Sequence, residues 1–478
     1  MNEKKIVKIV FSVIGFVSSI AAGTFLYSKF SSPPLTNLYC RDCNVIIIGF
    51  DALQAKRVRH LGYWRDATPT LDGLARRGIS FSKHYSVSSW TVPSFMSYFT
   101  SRYPSQHRVV NKFTIFTEEK QEVSNLKKLA PGVLTLAQAF KEKGYITGGF
   151  TGDAGVNAMF GYNEGFDAYT DERTFGSIAR SAGHALQWLD ENQGKKFFMF
   201  LHGYDAHGQF SELPENYTSR YASPNHDRFD ISAKAQQQLR EKGLFEGKLA
   251  LSKEEVEAWN AWYDGKIRDA DERIGDFLQE IERRGLLKNT VIIVISDHGT
   301  EMFEHQRTDH GFSLYNELIR VPLIIVWPER NIGKIIPTQV SSLDLLPTIF
   351  DIVGIKKDGI WQKQIQGESL LPVITAAGTN NRPVFSETDY RNYTHQRSYI
   401  SPDEWKIIVT MERGKVELYD LTSDPGENLN LAEKEPGRQG VMEKVLFSHM
   451  ESIGEKPSGP WQVGCLPVYN DQCIDLRR

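Results

Sequence analysis

The chain has 478 residues, of which 40% are hydrophobic and 24% are charged, and its formal net charge is -3. This composition supplies enough apolar material for a large folded core and excludes wholesale disorder. The near balance of acidic and basic residues argues against a polyanion-binding protein, so we expect no nucleic acid partner. Four cysteines in a chain of this length exclude a scaffold built from disulfides.

The N-terminal region contains an uncharged apolar segment, Ile9–Tyr27, preceded by Lys4, Lys5 and Lys8. At ~1.5 Å per residue a helix over this segment would span roughly 28 Å, close to the hydrocarbon thickness of a bilayer. We therefore predict a single-pass membrane anchor over residues 1–29. The positive flank would stay in the cytoplasm, which places the rest of the chain on the extracytoplasmic side, in the periplasm or at the cell surface. A cleaved signal peptide is the alternative.

The cysteines lie near the two ends of the chain, Cys40 and Cys43 in a predicted linker over residues 30–43, and Cys465 and Cys473 near the C-terminus. Outside the cytoplasm we expect disulfides that hold the chain ends, and a four-cysteine zinc site is the alternative. The pairing does not follow from the sequence.

Apolar runs and punctuating residues predict alternating strands and helices. In chain order we expect a strand over 44–50, a helix over 68–78, a helix over 136–143, strands over 146–150 and 197–201, a helix over 252–284, strands over 290–296 and 321–326, and a helix over 345–353. This alternation predicts an α/β sheet with parallel strands. Short strands over 406–410 and 415–419 follow. We therefore expect a catalytic domain over residues 44–375 and a smaller α+β domain over residues 376–478.

Acidic and imidazole side chains follow three of the predicted strands. They are Asp51 after the first, His202, Asp205 and His207 after 197–201, and Asp297, His298 and the later His310 after 290–296. The carboxyl ends of parallel strands meet at one edge of a sheet, where such anions would repel one another without a cation. Each residue alone fits a loop or capping role, but together they predict a metal site. Asp and His ligands favour Zn²⁺ or Mn²⁺, with Ca²⁺ and Mg²⁺ as alternatives.

Thr91 is a candidate nucleophile. It stands just before Pro93, which suits the first turn of a helix, so Thr91 would lie at the helix N-terminus, where free N–H groups favour an anion. A threonine alkoxide beside a metal can attack phosphorus. The alternative is that Thr91 only caps the helix.

Nine segments run in a recognisable order over most of residues 44–431. They are NVIIIGFDAL (44–53), ATPTLDGLARRGISF (67–81), SSWTVPSFMSYFTSRYPSQHRV (88–109), FFMFLHGYDAHGQF (197–210), YDGKIRDADERIGDFL (263–278), VIIVISDHGTEMFEH (291–305), DHGFSLYNELIRVPLII (309–325), SSLDLLPTIFDIVGI (341–355) and ELYDLTSDPGENLNL (417–431). Together they resemble sulfatase-type members of the alkaline phosphatase superfamily. The resemblance implies an α/β/α sandwich around a mostly parallel sheet, with a small C-terminal domain.

The resemblance also implies roles for the residues at the strand ends. One metal would be bound by Asp51, Asp297 and His298. In members with two metals, a second would be bound by Asp205, His207 and His310. Thr91 would contact the first metal as the nucleophile, and His202 is a substitute ligand for the second. Without a second metal, protonated His207 or His310 would assist the leaving group.

The chain also departs from the sulfatase pattern. Thr91 stands where sulfatases have the Cys or Ser that is oxidised to formylglycine, and Phe95 replaces the arginine of that motif. The first strand ends in Phe50-Asp51 rather than paired acids, Thr151-Gly-Asp153 replaces a Lys-x-His pair, and His310 replaces a later lysine. The cationic sulfate clamps are therefore lost or replaced by metal ligands, which favours phosphoryl chemistry.

We therefore hypothesise a membrane-anchored, metal-dependent hydrolase or transferase of phosphoric esters with a threonine nucleophile. A sulfatase that works without formylglycine and a catalytically inactive surface-binding module are the alternatives. An outer-surface anchor suggests a lipid headgroup or an envelope glycan as the ester substrate. Residues 211–250 form a polar insertion that either shapes the pocket or is a surface excursion.

Overall fold

The structure is a computed structural model that describes residues 38–110, 128–153, 155–171, 175–207, 220–222, 228–376, 381–390, 394–457, 467–468 and 472–473. The chain forms two compact units, residues 1–38 and 39–478, and every helix and strand described below belongs to the second. The predicted anchor lies outside the described residues. Within them, no helix is long and apolar enough to cross a membrane.

The strands in the described residues agree with the predicted ones in position and extend the set. They are β1 (Asn44–Phe50), β2 (Ile79–Phe81), β3 (His84–Tyr85), β4 (Ile146–Thr151), β5 (Ala168–Asp171), β6 (Phe197–Gly203), β7 (Thr290–Ser296), β8 (Glu301–Met302), β9 (Thr308–Asp309), β10 (Leu323–Val326), β11 (Lys334–Ile336), β12 (Val340–Ser341), β13 (Val384–Thr388), β14 (Gln396–Ile400), β15 (Trp405–Thr410), β16 (Lys415–Asp420), β17 (Pro467–Val468) and β18 (Gln472–Cys473).

The α-helices follow the same order along the chain. They are α1 (Pro69–Arg77), α2 (Thr91–Thr100), α3 (Pro104–His107), α4 (Leu136–Glu142), α5 (Ile178–Glu191), α6 (Ala233–Glu246), α7 (Lys253–Arg283), α8 (Asn316–Ile319), α9 (Leu345–Val353), α10 (Ile360–Gln364), α11 (Leu371–Thr375) and α12 (Pro436–Ser452). Short 3₁₀ turns cover Ala55–Arg57, Arg59–Leu61, Ala158–Phe160, Leu286–Asn289 and Ser342–Asp344.

One eight-stranded sheet organises the larger part of the unit, in the order β11-β2-β10-β7-β1-β6-β4-β5. Its pairs are parallel except those of β10, which runs antiparallel to both β2 and β7. The predicted mostly parallel sheet is therefore confirmed. At the end of β1, Phe50 is in register with Gly203 of β6 and Ser296 of β7. The three strands that precede the candidate site residues thus end side by side.

The two faces of this sheet are covered by different helices. Successive side chains of a strand point to opposite faces. In β6, Met199 and Leu201 belong to a core that includes residues of α1, α5 and α7. On the other face, Phe200 packs edge-to-face against Phe99 of α2, and Phe198 stacks on Phe140 of α4. The result is the predicted α/β/α sandwich.

A separate antiparallel sheet follows, in the order β13-β14-β15-β16. On one face its residues share a core with Met442 and Leu446 of α12. On the other face Val384 and Ile400 pack with Leu318 of α8. The second sheet therefore packs against α8 on one face and against α12 on the other.

The N-terminal cysteines are paired locally, because Cys40 forms a disulfide with Cys43. This pairing contradicts the alternative of a four-cysteine zinc site. Cys465 lies outside the described residues, and only the backbone of Cys473 is described.

Candidate active site

Asp51, Asp297 and His298 come together at the carboxyl ends of β1 and β7. One potential ligand atom from each lies within 4.8 Å of the others, and all three residues are buried. The Nε2 atom of His298 is 3.4 Å from Oδ2 of Asp297 and 4.0 Å from Oδ1 of Asp51. The sequence-based prediction that the strand ends bring these residues together agrees with this geometry.

The charges of this group fit a divalent cation. Burial alone would raise the pKa of Asp51, but the neighbouring imidazoles, above all that of His207, lower it well below its ordinary value. Burial and the charge of Asp51 raise the pKa of Asp297 well above its ordinary value. Burial lowers the pKa of His298 to about 3. Two carboxylates therefore face each other beside a neutral imidazole, which costs energy unless a cation binds between them.

The hydrogen bonds around the two carboxylates also fit a bound cation. Oδ1 of Asp297 accepts from the backbone N–H groups of Ala52 and His298, at 3.2 and 2.8 Å. Its Oδ2 and the Oδ1 of Asp51 are buried without a hydrogen-bond partner. Unpartnered buried carboxylate oxygens are rare unless an ion or a water satisfies them. In the described part of the chain, no lysine or arginine pairs with either carboxylate.

Thr91 lies against this group at the N-terminus of α2. Its Oγ1 donates to Oδ2 of Asp51 at 3.2 Å and is 3.2 Å from Nε2 of His298. Trp90, not Thr91, occupies the N-cap position, and that cap makes no side-chain hydrogen bond. The Thr91 hydroxyl therefore belongs to the carboxylate–imidazole group rather than to the capping of its helix.

His207, Asp309 and His310 form a second buried group, whose potential ligand atoms also lie within 4.8 Å of one another. The ring of His310 stacks on that of His298, with centroids 4.3 Å apart, and lies edge-to-face with His207 at 5.0 Å. Nε2 of His207 is 3.9 Å from Oδ1 of Asp51. Burial lowers the pKa of His207 to about 3. The two groups thus share one pocket.

Asp205 is a correction to the sequence-based ligand set, because it belongs to neither group. Its Oδ2 accepts from the backbone N–H of Ile178 at 2.6 Å, and its Oδ1 is 3.2 Å from Nε of Arg273. The carboxylate therefore binds the N-terminus of α5 and an arginine of α7. Its neighbour His207 is held in turn by Lys266, whose ammonium donates to the His207 carbonyl oxygen at 2.8 Å.

His202, the substitute ligand, is fully buried at the end of β6. Its Nε2 is 3.8 Å from Oδ2 of Asp51, beyond hydrogen-bond distance, and neither ring nitrogen has a hydrogen-bond partner. The ring packs edge-to-face against Phe95 and Tyr204. His202 therefore lies behind Asp51 and outside both groups.

The sequence analysis identified neither Asp309, a member of the second group, nor Arg240, which contacts it. Asp309 directly precedes His310, and the repeated Asp-His-Gly pattern at 297–299 and 309–311 was the signal that could have identified it. Arg240 of α6 lies in the insertion, and its Nε is 2.5 Å from Oδ2 of Asp309. The insertion therefore reaches the site and is not only a surface excursion.

Two other acidic groups in the described residues already contain basic side chains. His305 bridges Glu317 and the carbonyl oxygen of Glu427, with Glu301 beside it. In the other, Arg397 pairs with the carboxylates of Glu387, Asp389 and Glu455. This internal neutralisation distinguishes both from the group at the ends of β1 and β7.

Comparisons with known proteins identify the family of the chain. A family model described as Sulfatase matches residues 43–355, and one described as N-sulphoglucosamine sulphohydrolase, C-terminal, matches residues 303–454. Arylsulfatase K of Xenopus laevis is 30% identical over 237 residues, which cover 47% of this chain and 42% of that protein. Human arylsulfatase K is 23% identical over 457 residues, covering 85% of this chain and 82% of that protein. The first alignment thus spans less than half of its relative.

Solved structures share the fold. The phosphonate monoester hydrolase of Agrobacterium radiobacter has a TM-score of 0.65 and 19% identity, covering 86% of this chain and 96% of its own. BT4656, solved with its substrate D-glucosamine-2-N,6-O-disulfate, has a TM-score of 0.64 and 19% identity, covering 86% and 98%. The sulfatase model spans well over half of the sequence, from just before β1 to just after α9. The chain therefore belongs to the sulfatase family.

Proposed function

We propose that the chain hydrolyses or transfers phosphoric esters, with Thr91 as the nucleophile. The observation that carries the proposal is the position of the Thr91 hydroxyl, 3.2 Å from both Asp51 and His298 and at the N-terminus of α2. A hydroxyl that contacts both a buried carboxylate and an imidazole has the surroundings of an activated nucleophile. Helix N–H groups favour the negative charge that develops there.

The residues of the two groups have different roles in this reaction. Asp51, Asp297 and His298 would hold one divalent cation, which when bound lowers the pKa of the Thr91 hydroxyl and neutralises charge on the phosphoryl oxygens. Thr91 Oγ1 gives its proton to Oδ2 of Asp51, which returns it when Thr91 leaves, and bonds to phosphorus while the bond from phosphorus to the leaving oxygen breaks. His310 gives that oxygen a proton and later takes one from the attacking water or acceptor hydroxyl, whereas burial lowers the pKa of His207 to about 3 and leaves its imidazole neutral. Water, or the hydroxyl of an acceptor, then attacks phosphorus and releases Thr91.

The identity of the nucleophile favours phosphoryl over sulfuryl chemistry. Threonine does not yield the formylglycine aldehyde by the oxidation that activates Cys or Ser in sulfatases. The residues at the positions of the two sulfatase lysines, Thr151 and His310, do not supply the ammonium groups that clamp a sulfate. A direct ester of Thr91 is the intermediate that this side chain can form.

Sulfuric esters are the second candidate substrates. Both arylsulfatase K sequences and the neighbour solved with a disulfated glucosamine favour them. In that case the same hydroxyl would attack sulfur. An envelope glycan or a lipid headgroup remains the proposed source of either ester, because we also propose that residues 1–29 anchor the chain in a membrane.

A panel of aryl esters tests the proposal. Turnover of 4-nitrophenyl phosphate, bis(4-nitrophenyl) phosphate and 4-nitrophenyl sulfate is compared with and without a chelator. We expect the phosphoric esters to be favoured and the chelator to abolish turnover. Thr91→Ala should lose at least about a thousandfold in kcat, whereas the matched Thr91→Ser keeps the hydroxyl and measurable activity. Unchanged activity in Thr91→Ala would refute the mechanism, and a preference for the sulfate would establish the second candidate.

A further inference from the structure

We propose that Arg240 is a positioning residue of this active site, which holds Asp309 and through it fixes the ring of His310 beside the nucleophile. The inference rests on the proposed function, because it assigns a role in the same reaction. It also gives the insertion over residues 211–250 a role, since Arg240 lies on α6, which belongs to that insertion.

Arg240 is buried against the pocket rather than exposed on the insertion. It lies on α6, whose N-terminus is capped by Ser232, and its side chain is 7% exposed. Arginine is almost never buried without a partner, because removing its charge from water is costly. The burial therefore has to be matched by specific contacts.

Two partners from different parts of the fold meet the guanidinium group. Its Nε is 2.5 Å from Oδ2 of Asp309, and its Nη2 donates to the hydroxyl of Tyr390. The fixed fork of a guanidinium group can bind two acceptors in a defined geometry, which a lysine ammonium cannot do. Arg240 therefore links the end of β9 to the segment that follows β13.

Asp309 passes this restraint to His310. Its Oδ1 accepts from the backbone N–H of His310 at 2.8 Å and contacts Nδ1 of the same ring. Asp309 also has a φ of 88°, in the left-handed region, where non-glycine residues are uncommon. Such a conformation persists where surrounding contacts enforce it, and the ion pair with Arg240 is one of them.

Tyr390 completes the arrangement from the C-terminal side. Its ring lies over Gly311, where an added Cβ would come within 2.4 Å of Tyr390 Cδ2. Gly311 has a φ of 95°, and its carbonyl oxygen accepts from the hydroxyl of Thr388 at 2.7 Å. The residue after His310 is therefore held by the second sheet.

The restraint acts on the ring of His310, which packs against His298, the imidazole that contacts Thr91. With Nδ1 of His310 against Asp309, the Nε2 edge of the ring faces away from that carboxylate. The ring stacks on His298, whose own Nε2 is 3.2 Å from Thr91 Oγ1. Arg240 thus supplies the second group with a cation, whereas no lysine or arginine among the described residues pairs with Asp51 or Asp297.

The test compares leaving groups in Arg240→Ala, Arg240→Lys and the exposed control Lys234→Ala on the same helix. The probes are 4-nitrophenyl phosphate and phenyl phosphate. The departing oxygen of the phenyl ester is more basic, so its departure depends more strongly on a proton donor. In Arg240→Ala we expect kcat for the phenyl ester to fall by about 10²-fold or more, less for the nitrophenyl ester, with KM nearly unchanged. Added guanidinium should restore part of the loss, and Arg240→Lys should lose less.

A spectroscopic measurement keeps the inference separate from the proposed function. With histidine-selective ¹⁵N labelling, wild type should show a His310 signal typical of a protonated, carboxylate-bound Nδ1, assigned with His310→Gln. Arg240→Ala should shift that signal while the bound metal stays the same. If wild type turns over only sulfate esters, the same leaving-group pair is used as sulfates. An unshifted His310 signal, or an equal loss for both leaving groups, would overturn the inference whichever ester is the substrate.

Discussion

Asp51 and Asp297 place two buried carboxylates side by side, with the imidazole of His298 and the hydroxyl of Thr91 beside them. Neither carboxylate is paired with a lysine or arginine in the described residues. A folded chain without a cation therefore bears a repulsion that the bound ion would remove. The same two residues should have opposite effects on stability with and without metal.

Asp297→Asn tests this reversal. In the presence of a chelator the variant should be more stable than wild type by about 1–2 kcal/mol, because the amide avoids both the buried charge of Asp297 and the cost of protonating it beside Asp51. With metal present it should be less stable, because a ligand is lost and binding stabilises only the folded state. Urea unfolding under both conditions measures the effect.

Asp276→Asn is the matched control, since this exposed residue of α7 also loses a carboxylate. It should change the free energy of unfolding by less than about 0.5 kcal/mol under either condition. If Asp297→Asn destabilised the chelated protein, the two carboxylates would not repel each other as described.

The sequence was informative about residues that follow strands and silent about those that depend on distant contacts. Asp51, Asp297 and His298 could be grouped because strand ends converge. Asp205 could not be separated from His207, since the partner that removes it from the pocket, Arg273, lies on another helix. Arg240 lay in a segment without any pattern.

At the level of the helices and strands, the N-terminus of α1 is capped by a residue of another helix rather than by a residue of its own sequence. Thr68 occupies the N-cap position but makes no capping bond with its side chain. Its hydroxyl instead accepts from the backbone N–H of Arg59 at 3.0 Å. Asp271 of α7 supplies the cap, accepting from the N–H groups of Thr70 and Leu71 at 2.7 and 2.9 Å. The helix boundary followed from local sequence, whereas the cap required the neighbouring helix.

Asp271→Ala should therefore weaken the contact between α1 and α7. Two backbone donors would lose their acceptor inside the fold, at an expected cost of about 1–3 kcal/mol in the free energy of unfolding. Asp276→Ala, exposed on the same helix, is the control. Equal effects of the two substitutions in urea unfolding would show that the cap contributes nothing.

At the scale of the whole molecule, His305 connects the loop after β8 with the C-terminal region through Glu427. It contacts Glu317 and is 3.1 Å from the carbonyl oxygen of Glu427. Burial alone would lower the pKa of His305, but Glu317 outweighs burial and raises it to about 9. Burial and the neighbouring Glu317 raise the pKa of Glu301 to about 8. Both groups therefore favour the protonated form in the folded state.

This linkage predicts that stability decreases towards alkaline pH. A histidine whose pKa is raised on folding stabilises the protein fully below its unfolded value, about 6.5, and the contribution is lost as the pH rises through about 9. Glu301 changes in the same direction between its unfolded value and about 8. The free energy of unfolding should thus fall over this range, and less steeply in His305→Gln. Parallel pH profiles for the two proteins would contradict the assignment.

The N-terminal segment can be tested on the intact chain. We expect the full chain to sediment with membranes and to resist a high-salt wash, because an apolar segment of this length inserts into the bilayer. A chain lacking residues 1–29 should appear in the supernatant. Recovery of the full chain in the supernatant would contradict the anchor.

Elemental analysis of the purified full chain tests the central claim most directly, because it needs no knowledge of the substrate. We predict about one firmly bound divalent ion per chain in wild type and in Thr91→Ala, and its loss when Asp51→Asn and Asp297→Asn are combined. An equal metal content in wild type and in the double variant would contradict a cation site at the ends of β1 and β7.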